Sequence, residues 1–218
     1  MTPPWSVEHH RGSARLFHER EVPAPATRSV WVHEVDRPAV VLGSTQDAAV
    51  VEHAAAEMAG AEVVRRRSGG GAVLLVPGDV LWVDVVVPAA DVLWDHDVGR
   101  AVWWLGDAWA AALGAGAEVH RGSLVVTPWS RLVCFAGLGP GEVTRDGRKL
   151  VGISQRRTRH AARFQCALYA RWDVARLAGV LALDADQRRR LVDDLTDAVA
   201  VVRDASVLDA FLAVLATV

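Results

Sequence analysis

Residues 65–73 read Arg-Arg-Arg-Ser-Gly-Gly-Gly-Ala-Val, a run of three glycines set between two β-prone apolar stretches. With no side chains to cover it, the backbone there lets a ligand come close to its amide groups. The arginines directly before the glycines add positive charge, which suits an anionic or strongly polarised ligand. The segment is not a Walker loop, because no Gly-Lys-Ser/Thr follows. Nor does it fit a dinucleotide fingerprint, since the glycine spacing differs and strands flank both sides. A flexible surface turn is the competing reading. Arg66, Ser68, Gly69, Gly70, Gly71, Ala72 and Val73 are the candidate binding residues, and the fold has to present this bare loop to solvent.

A second constraint comes from composition. Of 24 basic residues, Lys149 is the single lysine. A chain so biased toward arginine uses it wherever charge alone suffices, so a surviving lysine points to a need for a compact ammonium; an incidental surface lysine is the alternative. Lys149 opens Lys-Leu-Val-Gly-Ile-Ser, two residues after an Asp146-Gly147 turn. Gly152 inside that β-prone run implies a close approach to the backbone. Together with Ser154 it joins the candidate binding set, and Lys149 is placed to polarise an acyl carbonyl from a solvated pocket.

The 218 residues suit one domain. Residues 1–28, rich in proline and charge, read as an irregular lead-in with a short helix over 13–19, and residues 29–218 as a single domain. Strands are expected at 29–35, 39–43, 62–66, 72–75, 79–87, 124–127, 132–136 and 162–170, with a hairpin of 142–145 against 148–154 turning at Asp-Gly. Helices are expected over 47–58 and 97–113, and from 173 onward, where Asp184 with Gln187 and Ser206 with Asp209 have capping spacing. The tryptophans at 103, 104 and 109 read as core. The pattern is α+β. A net charge of −2 argues against a nucleic-acid binder, and no apolar run reaches membrane-span length. Residues 1–20 are polar where a signal peptide would be apolar, so a cytoplasmic protein with free thiols is expected.

Cys134 is either a small buried hydrophobe or a nucleophile activated by a nearby cation, and periodicity does not separate the two. Cys166 reads as core. The histidines lack metal-ligand spacing, so no metal site is expected. Arg156, Arg157, Arg159 and Arg163 form either a solvated face or a docking patch for an acidic partner.

Four segments together resemble the lipoate-protein ligase and octanoyltransferase superfamily, which shares its catalytic domain with biotin protein ligases. Residues 31–46 resemble its early strand pair, and 65–73 its Arg-Arg-x-Ser/Thr-Gly-Gly-Gly/Arg-x-Val acyl-binding loop. Gly147-Arg148-Lys149-Leu150-Val151-Gly152-Ile153-Ser154-Gln155 resembles its lysine motif, and Val133-Cys134-Phe135 the nucleophile segment of cysteine-dependent octanoyltransferases of Gram-positive bacteria. The chain departs from the family at Leu75 and Val76, where a histidine and an acid are usual. It departs again at Gln165-Cys166-Ala167, where His-Gly-Ser/Thr is usual, and in its first helix.

The resemblance implies a mixed, largely antiparallel sheet flanked by helices, with an acyl chain beside the glycine loop. It implies Cys134 and Lys149 as catalytic residues, facing each other across a pocket, an acyl carrier protein as donor and a lipoyl-domain lysine as acceptor, with no cofactor. A ligase working through an acyl-adenylate, with ATP and Mg2+, is the alternative, and a non-catalytic acyl or adenylate binder is a third.

Overall fold

A computed structural model describes residues 4–218. Two sheets face each other, and helices cover their outer sides. The larger sheet takes β1 (Ser6–Gly12), β2 (Ser29–Val35), β6 (Val80–Pro88), β10 (Ala161–Tyr169), β9 (Arg148–Arg157), β8 (Val143–Arg145) and β7 (Ala117–Val119), in that spatial order. Only its β1–β2 pair is parallel. The smaller sheet runs β4 (Glu62–Arg65), β3 (Ala39–Leu42), β5 (Val73–Leu75), with β3–β4 parallel and β3–β5 antiparallel. The architecture is α+β with a mixed, largely antiparallel sheet, in line with the residue pattern.

Strand alternation sorts the large sheet's side chains into two faces. Val83, Val85, Phe164 and Leu168 point outward into a core closed by α3 (Trp103–Leu113) and α6 (Val207–Leu215), where Trp109 stacks on Phe211 with ring centroids 3.6 Å apart. Residues of opposite parity, Trp82, Asp84, Gln165, Ala167, Gly152 and Ser154, face the small sheet. Val41 and Leu75 pack against Trp82 from across the gap, beside Phe17 of α1 (Ala14–Glu19). The small sheet's other face, with Val40, Leu42 and Leu74, is covered by α4 (Val174–Gly179) and α5 (Ala185–Leu195); α2 (His53–Met58) adds Ala56 to that core.

Several elements differ from the sequence expectation. The lead-in is not irregular: Ser6–Gly12 adds an edge strand to β2. Its exposed, polar run carries no apolar alternation to announce it, and parallel pairing with β2 orders it. The helix expected over 47–58 is two pieces, a 3-10 turn Ala48–Val50 and α2, because Val51 leaves the helical path to bridge Leu181. Likewise α3 begins only at Trp103, after a 3-10 turn Arg100–Val102. The strands expected at 124–127 and 132–136 reduce to single bridges, Val125 to Leu138 and Ala72 to Val133, and Cys134–Ala136 is a 3-10 turn. Asp184 and Gln187 form their capping box, whereas the Ser206 hydroxyl bonds Asp204 instead. No helix among the described residues is long and apolar enough to cross a membrane.

Candidate active site

The glycine loop leaves β4 and returns in β5, and Arg66 holds its shape from below. The Arg66 guanidinium is buried and donates to Gly69 O at 2.7 Å, Gly71 O at 2.8 Å and Val41 O at 3.3 Å. With those carbonyls held toward Arg66, the Gly69, Gly70 and Gly71 amides have no acceptor among the described residues. Gly70 has φ +98°, a left-handed conformation that favours glycine. Close approach demands glycine at positions 43 and 71, though not at 69. A Cβ on Gly43 would sit 1.8 Å from Gly70 O, and one on Gly71 would sit 2.6 Å from the Val133 carbonyl carbon.

That contact delivers Cys134. Ala72 N donates to Leu132 O at 2.7 Å, Cys134 N donates to Ala72 O at 3.0 Å, and the Gln46 side chain ties Gly43 N to the Arg131 and Leu132 carbonyls. The Cys134 sulfur lies over Gly70, 3.4 Å from where a Cβ would stand. Cys166, by contrast, is fully buried in the outer core, and burial pushes its thiol well above the ordinary range.

Lys149 is not the solvated lysine that its sequence suggested. It is 5% exposed, its amine 2.7 Å from Glu142 Oε1, and it donates to Cys134 O at 3.2 Å and Gly137 O at 3.1 Å. The ammonium also stands 4.8 Å from the centroid of the Phe135 ring. The lysine therefore grips the backbone of the Cys134 turn. Its own strand is fixed on the far side, where Lys149 N donates to Ala198 O and Lys149 O accepts from Ala200 N, each at 2.9 Å. Glu142 is itself oriented by the Gly139 and Ile153 amides, at 2.6 and 3.0 Å. Sequence reasoning passed over Glu142. The signal was an acid at the mouth of the Asp-Gly hairpin whose other arm carries the only lysine. The hairpin itself forms as expected, with Asp146 at φ 52° and Gly147 at φ 73°.

These residues line two connected spaces. One is an open cleft of about 760 Å3 that includes Gly69, Gly70, Gly71, Glu142 and Lys149. The other is a narrow pocket of about 50 Å3 between the sheets, walled by Val41, Val73, Leu75 and Trp82 with Gly152 and Gln165. Cys134, Ile153 and Ser154 line both. Gly152 is needed bare, because a Cβ there would stand 2.8 Å from Phe135. His18 of α1 also lines the pocket and was not singled out in the sequence.

The expected basic docking patch is not a single face. Arg163 is buried, bonding Asp84 and the Phe17 and Arg20 carbonyls, while Arg156 pairs with Glu21. Arg157 donates to Asp95 O and lies over Trp94. Side chains alternate along β9 and β10, so consecutive arginines part company. Burial alone would raise the Asp84 carboxyl, but the adjoining Arg163 and His33 outweigh it and hold it well below the usual carboxylate range.

The family model described as the lipoyl protein ligase A/B catalytic domain matches residues 13–212. The fold is similar to a bipartite lipoate protein ligase of Thermoplasma acidophilum studied with its E2 lipoyl domain, at TM-score 0.76 and 18% identity over 98% of this chain and 83% of that one. It is also similar to a putative lipoate protein ligase of the same organism with bound lipoic acid, at TM-score 0.65 and 17% identity over 98% of this chain and 94% of that one. A lipoate-protein ligase A bound with ATP aligns at TM-score 0.64 and 16% identity, over 100% of this chain and 95% of that one. No curated protein matches the chain. At such identities the solved structures speak to the fold, and it is the family model, spanning nearly the whole sequence, that shows the chain to belong to the lipoyl protein ligase A/B catalytic domain family.

Proposed function

We propose that this chain transfers a medium-chain acyl group, octanoyl or lipoyl, from an acyl carrier protein to a lysine of a lipoyl domain through a thioester on Cys134. The observation that carries the reading is the position of Cys134, whose residue lines both the apolar pocket and the open cleft and whose sulfur lies over the glycine loop. An unbranched chain is the shape that so narrow a slot accepts, and the carbonyl would then lie at its mouth. The Cys134 thiol gives up its proton, its sulfur attacks the carrier thioester, and the carrier leaves as a thiol. A neutral acceptor amine then attacks the Cys134 thioester, forming an amide and returning the cysteine thiol. The free glycine amides are donors of the kind that stabilise an oxyanion, and Lys149 holds the Cys134 turn in place through the Cys134 and Gly137 carbonyls. Lys149 is held by three oxygens, so its part is positional rather than that of a base. A lipoyl-domain acceptor is supported by the Thermoplasma ligase studied with such a domain.

A second reading is an ATP-dependent lipoate ligase, favoured by the size of the cleft and the free amides beside it, which suit phosphate oxygens. The cleft's carboxylates do not suit a protein-held Mg2+: Glu142 is committed to Lys149 and Asp47 to the Ala49 amide.

Incubation with octanoyl-carrier protein in the absence of ATP, read by intact mass spectrometry, separates the two. We expect an octanoyl adduct on the parent protein and none on Cys134→Ser. An adduct that persists in Cys134→Ser, or acyl-adenylate from free lipoate and ATP with no adduct, overturns the transferase.

A further inference from the structure

Three polar residues of the pocket wall, Ser154, Gln165 and His18, are joined through Ser68 into a chain of hydrogen bonds with a defined direction. Ser154 Oγ and Ser68 Oγ lie 3.0 Å apart, and the Ser68 hydroxyl donates to Gln165 Oε1 at 3.1 Å. With its oxygen so occupied, the Gln165 amide turns its NH2 the other way and donates to His18 Nδ1 at 3.3 Å. His18 is 8% exposed, and burial, reinforced by Arg163 and Arg66, holds its pKa down to about 3. The ring is therefore neutral at neutral pH. A neutral imidazole that accepts at Nδ1 carries its proton on Nε2.

That Nε2–H has no acceptor among the described residues, since the bond from Gln165 is the ring's one hydrogen bond there. The ring plane is fixed against Trp82, with centroids 4.6 Å apart. His18 lines the pocket but not the cleft, so it stands away from the mouth where Cys134 lies. A single oriented donor is thus set into a wall that is otherwise largely apolar. Nε2 is not sealed from solvent, so an apolar chain that displaces water from it leaves the donor unpaired, which is costly, and a chain that brings its own acceptor does not.

We propose that the His18 Nε2–H reads an oxygen acceptor on the distal part of the acyl chain, so that the pocket prefers a medium-length hydroxy- or oxo-acyl group to a plain saturated one. Sulfur is a weak acceptor and fits this donor less well. Gln165 is the positioning residue, because its amide selects the histidine tautomer. The inference rests on the reading that the pocket takes a medium-chain acyl group and puts an oxygenated chain ahead of the octanoyl and lipoyl groups named there, but it does not rest on Cys134 being the nucleophile.

The test is calorimetric titration of the parent and of His18→Phe with octanoate, 6-hydroxyoctanoate and 8-hydroxyoctanoate. Phenylalanine keeps the ring against Trp82 and deletes the donor. We expect one hydroxy acid to bind the parent about 3- to 10-fold more tightly than octanoate, the scale of one buried hydrogen bond, and His18→Phe to erase that ratio. A parent that prefers octanoate to both hydroxy acids, or a ratio unchanged in His18→Phe, overturns the proposal and leaves the acyl reading standing. Failure of all three acids to bind the parent overturns both. Nitrogen-15 NMR of the parent supplies a measurement that needs no variant. The expected result is an Nε2-protonated, neutral His18 at pH 7 whose signal moves with the preferred hydroxy acid. A proton on Nδ1, with the Gln165 amide reversed, overturns it.

Discussion

Lys149 and Glu142 form a buried ion pair set directly behind the Cys134 turn. The ammonium lies among Glu142 Oε1 and the Cys134 and Gly137 carbonyls. Guanidinium is planar and larger, so Lys149→Arg keeps the charge but cannot occupy that space. We expect Lys149→Arg and Lys149→Ala both to slow acyl transfer by about 100- to 1000-fold in single-turnover kinetics. They should also melt earlier, which a lysine in a solvated pocket would not do. Lys149→Ala leaves the Glu142 carboxylate buried without its counter-charge, a loss of about 3 kcal/mol. Adding Glu142→Gln to Lys149→Ala should recover much of the stability in chemical denaturation and none of the activity. Parental turnover in Lys149→Arg would remove the residue from the site.

At the scale of elements, the loop, the Cys134 turn and the end of β3 form one interlocked unit with no room for a methyl group at Gly43 or Gly71. Gly43→Ala would drive its Cβ into Gly70 O. Although Gly43 is outside the glycine run, we expect the variant to fold, judged by circular dichroism, and to lose about 100-fold in acyl transfer through displacement of the loop. A Gly43→Ala protein with normal transfer would show that the loop is not held in register by β3. Gly70→Val places a branched side chain between Arg66 and the Cys134 sulfur and should abolish acyl binding, as measured by calorimetry with octanoate. The glycine run and the lysine hairpin were legible in the sequence because their residues are contiguous and their turn chemistry is local. His18 and Gln46 were not, because their partners lie across strands or sheets and nothing in their own neighbourhoods marks them, whereas Glu142 carried only the faint signal of an acid at the mouth of the lysine hairpin. The Cys134 turn read as a strand for a related reason: an apolar tetrad such as Leu132-Val133-Cys134-Phe135 does not reveal that its backbone partners run out after the bridge from Val133 to Ala72. The edge strand Ser6–Gly12 escaped notice because a polar strand has no period to read.

For the molecule as a whole, His18 links the pocket to acid stability. Its folded pKa of about 3 lies below the unfolded 6.5, so protons bind the unfolded chain first. The contribution is complete above pH 6.5 and is lost as pH falls toward 3, at about 1.4 kcal/mol per unit. The Asp84 carboxyl, also depressed, adds its loss only below its unfolded value of 3.8. Urea unfolding at pH 7.5 and 4.5 should therefore show a parent markedly weaker in acid and a His18→Phe variant with a shallower dependence. Equal slopes would mean that His18 is not held neutral by the fold. A last consequence follows from the clamp on the Lys149 backbone, which is set by the Ala198 carbonyl and the Ala200 amide, downstream of α5. Protein synthesis is directional, and the loop, the cysteine and the lysine all leave the ribosome before that clamp exists. The nascent polypeptide thus carries the loop, the cysteine and the lysine before their geometry is fixed, and β9 is locked in place only when residue 200 has emerged.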